Sequence, residues 1–127
     1  MKLLLLPIFI IFSNCSNPKT EEKDLSKTVA DINKNCPQVI DSETKFDGLD
    51  FIKPNTLIYK FTLLHVMAQN VDTLEFKKAL LPGILSTIKI SPEMKQLRDN
   101  DTKINYAYYD KMKLLIYTFR FSKEDYK

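Results

Sequence analysis

The amino-acid sequence predicts an α+β fold with the order helix, two strands, kinked helix, two strands, and an antiparallel sheet packed against the helices. Apolar side chains recur at helical spacing in two segments, and each of these segments is followed by stretches in which apolar and polar side chains alternate. The 127 residues, 44% of them hydrophobic and 28% charged, are enough for one globular domain that needs no disulfide to bury its core.

Residues 1–14 have the layout of a cleavable signal peptide. Lys2 supplies a positive charge and precedes the apolar run of residues 3–12. A membrane-spanning helix needs about 20 apolar residues, so this run is too short to be a stable anchor. Pro7 argues against the alternative, a buried helix of the folded domain. We therefore expect the protein to be exported.

The end of this run reads Phe12-Ser13-Asn14-Cys15 and resembles the lipobox of bacterial lipoproteins. The resemblance implies cleavage before Cys15 and lipidation of its thiol, and two or more acyl chains would form a durable anchor. Phe12 and Asn14 depart from the usual box, which has an aliphatic residue first and a small residue before the cysteine. Ser16 after the cysteine would imply the outer membrane in organisms similar to the enteric bacteria. The alternative is ordinary secretion to the periplasm or the medium.

The domain is predicted to begin with a helix after a flexible polar tether. Residues 16–23 carry no apolar side chain, so we expect segment 15–24 to be the lipidated cysteine with its tether and segment 25–127 to be the domain. Asp24 is the expected N-cap of the helix and Pro37 its expected end. The apolar face of this helix comprises Leu25, Val29, Ile32 and Cys36.

Two strands are predicted next. Residues 38–47 alternate in a way that suits a half-exposed strand, and residues 56–66 form the clearer strand. The stretch between them, residues 48–55, is expected to protrude as a loop. One face of the second strand comprises Leu57, Tyr59, Phe61 and Leu63.

A second helix is predicted after the N-cap Asp72, with Glu75 placed three residues later as in a capping box. Pro82 removes a backbone donor inside the helical pattern, so we expect a kink just before it. Ser91 is positioned to cap a short third helix, and residues 99–101 then form a turn.

The last quarter of the chain predicts a hairpin with a tight connection near Asp110. Tyr109 falls out of step with the other tyrosines, so we expect it to face outward, where tyrosine suits an interface. The inward-facing side chains are predicted to be Ile104, Tyr106, Tyr108, Leu115, Tyr117, Phe119 and Phe121.

The chain contains the pattern Pro37-Gln38-Val39-Ile40-Asp41, Thr44, Phe46-Asp47, Thr56, Tyr59 and Phe61-Thr62-Leu63. This pattern resembles one found in small exported bacterial proteins of unknown function, and the likeness extends over residues 25–110. The resemblance implies the same α+β plan and no particular activity. Members often carry a second cysteine after the long helix, but that region reads Ile88-Lys89-Ile90 here, so the disulfide implied for the group cannot form.

Composition argues against several classes of function. The formal net charge is +3, from 19 basic and 16 acidic residues, and no basic face is concentrated enough for a nucleic-acid partner. One histidine, two cysteines and two glycines give no support to zinc fingers, iron–sulfur clusters or glycine-rich phosphate loops. We therefore expect no cofactor, no metal and no small-molecule substrate.

Two candidate chemical sites have a simpler structural interpretation. His65 could be a general base, but no nucleophile or orienting group accompanies it, which favours a residue at the rim of a strand. Asp41, Glu43 and Asp47 could bind Ca²⁺, but without a glycine-bearing loop they favour a solvated edge strand.

Cys36 is predicted to be a buried, inert thiol, because it ends the apolar stripe of the first helix. The alternatives are a reactive thiol, a cysteine paired between chains, or a disulfide with Cys15 if Cys15 is not lipidated.

Together these observations predict a lipid-anchored cell-envelope protein that is not an enzyme and acts as a protein-interaction module. Its expected contacts are the membrane, through the lipidated N-terminus, and an unidentified envelope protein. The expected interaction surface comprises Tyr109 and the loop residues Gly48, Asp50 and Phe51. The alternative is an envelope or secreted inhibitor or immunity-type protein that binds a hydrolase or toxin through the loop of residues 48–55.

Overall fold

Five strands form one sheet in which the spatial order of the strands equals their order in the chain. The computed structural model describes residues 18–127, and it describes side chains from Leu25 onward. The strands are β1 (Gln38–Val39), β2 (Thr44–Ile52), β3 (Thr56–Leu63), β4 (Lys103–Tyr109) and β5 (Leu115–Phe121).

The sheet is antiparallel at every junction except the one between β3 and β4. These two strands run parallel, with Thr56 opposite Lys103 and Thr62 opposite Tyr109. The predicted α+β fold with a mostly antiparallel sheet is confirmed, and this junction is the parallel exception. Parallel neighbours need a long crossover, which residues 64–102 supply, and this crossover includes helix α2 (Thr73–Ile90).

All the helices in the described part of the chain pack against the sheet and share one core with it. The others are α1 (Pro18–Asn33), α3 (Lys95–Asp99) and α4 (Lys123–Tyr126). The core takes the side chains that the alternation predicts to face inward from β3 and from the C-terminal hairpin, except Leu115, which was predicted to face inward but is 54% exposed beside the register shift between β4 and β5. Buried members of the core include Leu25, Val29, Leu49, Leu57, Phe61, Ile84, Ile88, Leu97, Ile104, Phe119 and Tyr126.

Both predicted ends of the first helix are wrong. Helix α1 begins at Pro18, so Asp24 lies inside it and residues 18–23, expected in the tether, are helical. Proline is tolerated in a first helical turn, and the lysine and glutamate residues that follow have good helix propensity. At the other end, the Asn33 amide donates to the Leu49 carbonyl over 2.9 Å and accepts from the Leu49 N–H over 2.8 Å, which fixes the helix end to β2.

The predicted burial of Cys36 is also wrong. The helix ends before this residue and a turn follows, so the apolar spacing no longer directs Cys36 into the core. Its free thiol is half-exposed and donates to the Ile32 carbonyl over 3.4 Å.

The predicted strand of residues 38–47 is two separate strands joined by a turn. The Glu43 N–H donates to the Asp41 carboxylate over 2.8 Å within this turn. The polar alternation that suggested one continuous strand therefore includes the reversal between β1 and β2. Asp41, Glu43 and Asp47 consequently do not share one strand.

The prediction of a loop at residues 48–55 is wrong as well. Strand β2 continues to Ile52, which leaves only residues 53–55 as a turn before β3. A bulge lies between Phe46 and Gly48, and Gly48 has a φ of +132°, a conformation that glycine adopts readily. The bulge shifts the pairing register of β2 against β3. The polar residues of this segment therefore belong to a strand and do not mark a loop.

The predicted start of the second helix is confirmed. The Asp72 carboxylate accepts hydrogen bonds from the N–H groups of Leu74, over 3.1 Å, and Glu75, over 3.2 Å. Helix α2 continues through Pro82, and the kink expected there stays a prediction. The predicted Ser91 cap is confirmed, because its hydroxyl accepts a hydrogen bond from the Glu93 N–H.

Asn55 joins the starting ends of the two parallel strands. Its amide nitrogen donates to the Asn100 carbonyl over 2.8 Å, and its amide oxygen accepts from the Thr102 hydroxyl over 2.9 Å. The Asn55 carbonyl also accepts from the Lys103 N–H over 3.0 Å. These bonds set the register of β4 against β3.

Helix α4 was not predicted. Ser122 and Asp125 form a reciprocal capping box at its start, and the Tyr126 hydroxyl donates to the Thr102 carbonyl over 2.6 Å in a buried position. The C-terminal residues thereby cover the start of β4.

The predicted signal peptide, residues 1–14, and the predicted lipidation site, Cys15, lie outside the described residues. Within residues 18–127, no helix combines the length and the apolar character that crossing a membrane requires.

Candidate functional site

The four residues predicted as an interaction surface do not form one surface. Tyr109 is half-buried on the face of the sheet opposite the core. Asp50 is exposed, and its carboxylate lies 3.2 Å from the Lys60 ammonium. Gly48 lies in the bulge of β2 against the end of α1, whereas Phe51 packs against the core.

Tyr109 helps to line a shallow hollow with a volume of about 480 Å³. The lysines of the hollow already have acidic partners. Lys45 and Lys113 each lie 3.8 Å from Asp47, which also accepts a 2.5 Å hydrogen bond from the Thr62 hydroxyl. Three lysines but only one carboxylate, Asp47, line the hollow, so it keeps a net positive charge, although these exposed ion pairs are each weak.

A second depression, which we call the apolar cleft, lies between α1, the sheet and the segment leading into α3, and has a volume of about 330 Å³. Its polar residues are Thr28, Glu93 and Gln96. Its other lining residues are Leu25, Val29, Ile32, Leu49, Leu57, Tyr59, Met94 and Leu97. Clefts of this size and composition bind apolar groups.

Three elements that are distant in the sequence build the apolar cleft. Helical spacing places the apolar stripe of α1 on one wall, and strand alternation presents Leu57 and Tyr59 from the floor. Arg98 fixes the third wall, because its guanidinium donates to the carbonyls of Ile88 and Ser91, each over 2.8 Å. The sequence places Ile32 on the apolar stripe of α1, but only the structure shows that this side chain remains 37% exposed at the cleft.

The one hydroxyl on the floor of the apolar cleft is held in a neutral state. The Tyr59 hydroxyl lies 3.5 Å from the Met94 sulfur. Burial, together with a smaller contribution from the nearby Glu93 carboxylate, raises the pKa of Tyr59 to about 12. The phenol therefore stays protonated at neutral pH and contributes a ring surface and a weak donor to the cleft.

The residues considered for chemistry lie elsewhere. His65 is exposed in the turn after β3, with Nε2 3.2 Å from the Ser42 carbonyl oxygen, and neither it nor Cys36 lines the apolar cleft. Among residues 18–127, no group of three or more His, Cys, Asp or Glu side chains is placed to hold a metal ion.

Solved structures share this fold. A Pseudomonas aeruginosa protein described as a "putative secreted protein" has a TM-score of 0.70 and 15% identity, over 86% of this chain and 95% of that one. EpsS, the pilotin of the Vibrio vulnificus type 2 secretion system, has a TM-score of 0.66 and 13% identity, over 86% of this chain and 94% of that one. At these identities the likeness establishes the fold alone. No curated protein matches the sequence.

A family model, described as a domain of unknown function (DUF8479), matches residues 20–116. The matched segment runs from helix α1 into strand β5, and it includes both the apolar cleft and Tyr109. The chain therefore belongs to this family of domains of unknown function.

Proposed function

We propose that the protein is a lipid-anchored component of the cell envelope whose domain binds another envelope protein without catalysing a reaction. The observation that carries this proposal is the apolar cleft, with its floor of buried aliphatic and aromatic side chains and its partly exposed wall at Ile32. Apolar side chains of a partner would be removed from water there, which contributes about 1.5–3 kcal/mol for each large side chain that is fully buried. The Vibrio vulnificus protein of the same fold is a pilotin of a secretion system, and this supports a protein partner.

The proposed location rests on the N-terminal sequence. A signal peptide over residues 1–14, lipidation at Cys15 and a domain within residues 25–127 would hold the domain at the membrane, and Ser16 favours the outer membrane. Radioactive palmitate should label the wild-type protein, while Cys15→Ser should abolish both the label and processing. A wild-type protein without label would instead favour secretion to the periplasm or the medium.

The partner site can be tested by crosslinking in cells. A photoreactive amino acid at position 32, at the mouth of the apolar cleft, should give one discrete crosslinked product. The same amino acid at position 90 serves as the matched control, because Ile90 is 72% exposed and lies outside the cleft. Equal crosslinking at both positions, or none at position 32, would contradict the proposal.

Filling the cleft gives an independent measurement. Val29 lines the cleft and is nearly buried, so Val29→Phe should occupy the space that a partner side chain would take. We expect the crosslink at position 32 to disappear while the circular dichroism spectrum stays that of the wild type. A crosslink that persists would show that the partner contacts Ile32 without entering the cleft.

The proposal that the domain is not an enzyme also has a direct test. His65 is the sole histidine of the chain, and it is exposed in a turn. Turnover of any substrate by the purified protein that is lost in His65→Ala would overturn the proposal. The alternative function, an inhibitor or immunity-type protein, requires a protruding loop at residues 48–55. Gly48, Asp50 and Phe51, which were expected in that loop, lie instead within β2.

A further inference from the structure

The connection between β4 and β5 exposes an unusual run of apolar side chains. Met112, Leu114 and Leu115 are 62%, 58% and 54% exposed, and Lys111 and Lys113 beside them are also exposed. Single exposed apolar residues are common on proteins, but several together on one projecting turn indicate an interaction site. We call residues 111–115 the hairpin tip.

The hairpin tip is held rigidly from below by Asp110, which is fully buried. One carboxylate oxygen accepts from the N–H groups of Met112, over 2.8 Å, and Leu114, over 2.9 Å. The other accepts from the Ala68 N–H over 2.8 Å, and the Lys111 N–H donates to the Val66 carbonyl over 3.1 Å. The turn is thus tied to the segment before α2, and its apolar side chains are displayed without a further ordering step.

We propose that the hairpin tip inserts into the surface of a bilayer that contains anionic phospholipids. Two ammonium groups alternate with three apolar side chains, a pattern that places cations at lipid phosphates and apolar groups in the acyl boundary. Lysine is depleted at protein–protein interfaces, which argues against a protein occupant. Lys113 lies 3.8 Å from Asp47, whereas Lys111 has no ion pair among the described residues.

The absence of tryptophan from the chain makes the test specific. Full-length Met112→Trp would carry a single tryptophan at the hairpin tip. Vesicles of phosphatidylcholine alone are compared with vesicles that also contain phosphatidylglycerol, and both contain lipids brominated on the acyl chains. We expect a blue shift of the tryptophan emission and strong quenching in the anionic vesicles. In the neutral vesicles we expect a much smaller shift and much weaker quenching.

Ile90→Trp is the matched control, because Ile90 is exposed at the end of α2 and the variant keeps the same N-terminal segment. Any membrane contact made by the N-terminal segment is common to both variants, so it cannot produce a difference between them. Leu114→Trp repeats the measurement at a second tip position in case Met112→Trp fails to fold. Adding Lys111→Ser and Lys113→Ser to Met112→Trp should remove the dependence of quenching on anionic lipid. In Met112→Trp, which keeps both lysines, added salt should weaken this dependence.

The proposal is overturned if the tip tryptophans show no quenching in anionic vesicles. It is also overturned if positions 112 and 90 are quenched equally, or if neutral and anionic vesicles give the same result. A crosslink from position 112 to a protein, without quenching by lipid, would identify a protein-binding tip instead.

Discussion

The carboxylate of Asp110 stabilises the β4–β5 connection only while it is ionised. The Ala68 N–H makes the largest contribution to holding the pKa of Asp110 below its ordinary value, and the Leu114 and Met112 N–H groups act in the same direction against the opposing effect of burial. A carboxyl whose pKa is lower in the folded state stabilises the fold above its unfolded pKa of about 3.9. This contribution is lost as the pH falls through the folded pKa.

We therefore expect Asp110→Asn to lower the melting temperature at pH 7, and we expect the difference from wild type to shrink as the pH falls below about 4. Asp31→Asn is the control, because this side chain is exposed in a helix and pairs with Lys34 at 3.6 Å, so little change is expected. Thermal melts from pH 7 to pH 3 measure both. A difference that stays constant over this range would show that the Asp110 carboxylate is not the source.

Gly48 is constrained both by its backbone conformation and by its neighbour. Its φ is +132°, and an added Cβ would lie 2.7 Å from the Asn33 side-chain oxygen that ties α1 to β2. Gly48→Ala should destabilise the protein by about 1–3 kcal/mol, the usual cost of a sparsely populated backbone conformation.

Gly83→Ala is the matched control for this substitution. Gly83 lies in α2, and an added Cβ would meet no atom within 4 Å apart from its chain neighbours and the adjacent backbone of its own helix, so alanine should stabilise the protein by about 0.5–1 kcal/mol. Urea melts of both variants test the pair. Equal effects of the two substitutions on the free energy of unfolding would show that Gly48 does not constrain the contact between α1 and β2.

Individual residues were predicted well where the chemistry is local and poorly where it is not. Asp72 was identified as a cap because its partners lie two and three residues away. Asn33 was not identified, because its partner Leu49 becomes a neighbour only after β2 folds beside α1. Cys36 was placed wrongly because the spacing alone does not show that the helix has already ended.

Among the elements, β3, β4 and β5 supply most of the aromatic part of the core. Phe61 stacks on Tyr108 with ring centroids 5.0 Å apart, and Phe119 meets Tyr117 edge-on at 4.9 Å. Both phenylalanines are buried. They belong to different strands, and Tyr108 also meets Phe119 at 5.9 Å, so the aromatic cluster connects β3, β4 and β5.

Phe61→Ala and Phe119→Ala should each lower the free energy of unfolding by roughly 3–5 kcal/mol. Leu115→Ala, in the same strand as Phe119, is the control and should change it by less than about 0.5 kcal/mol, because Leu115 is mostly exposed. Denaturant melts give all three values. A change near zero at Phe61 or Phe119 would mean that the faces of these strands are assigned backwards.

Elements were predictable where one face is apolar throughout. Strand β3 and the β4–β5 hairpin alternate, and their inward faces are those predicted except at Leu115, which lies beside the register shift of the hairpin. Helix α4 was missed although Ser122 and Asp125 have the spacing of a capping box, because four residues are too short to show a helical period. The capping signal alone would have identified it.

At the scale of the whole molecule, the apolar cleft and the parallel junction could not be predicted. Alternation within a strand indicates which side chains face the core, but it does not indicate which strand lies beside it. The parallel pairing of β3 with β4 depends on the path of residues 64–102 and on the contacts of Asn55. The cleft depends in turn on where that path places Met94 and Leu97.

The domain as a whole should fold without a metal, a cofactor or a disulfide. The fragment has to begin at Pro18 to retain all of α1, and only one cysteine, Cys36, lies within residues 18–127. We expect this fragment to melt cooperatively in chelator and reductant, with a mixed helix and strand spectrum and the sedimentation of a monomer. A disordered spectrum, or folding only in the presence of a second chain, would make the protein an obligate part of a larger assembly.

The parallel junction also imposes an order in time on the growing chain. The ribosome releases β2 and β3 as a complete hairpin well before any of β4 exists, because residues 64–102 come between them. During that interval one edge of β3 has no partner strand, and such an edge can pair with other chains. A nascent or truncated chain that stops before Lys103 keeps this edge open, so the completion of β4 is the step that protects the newborn protein from aggregation through β3.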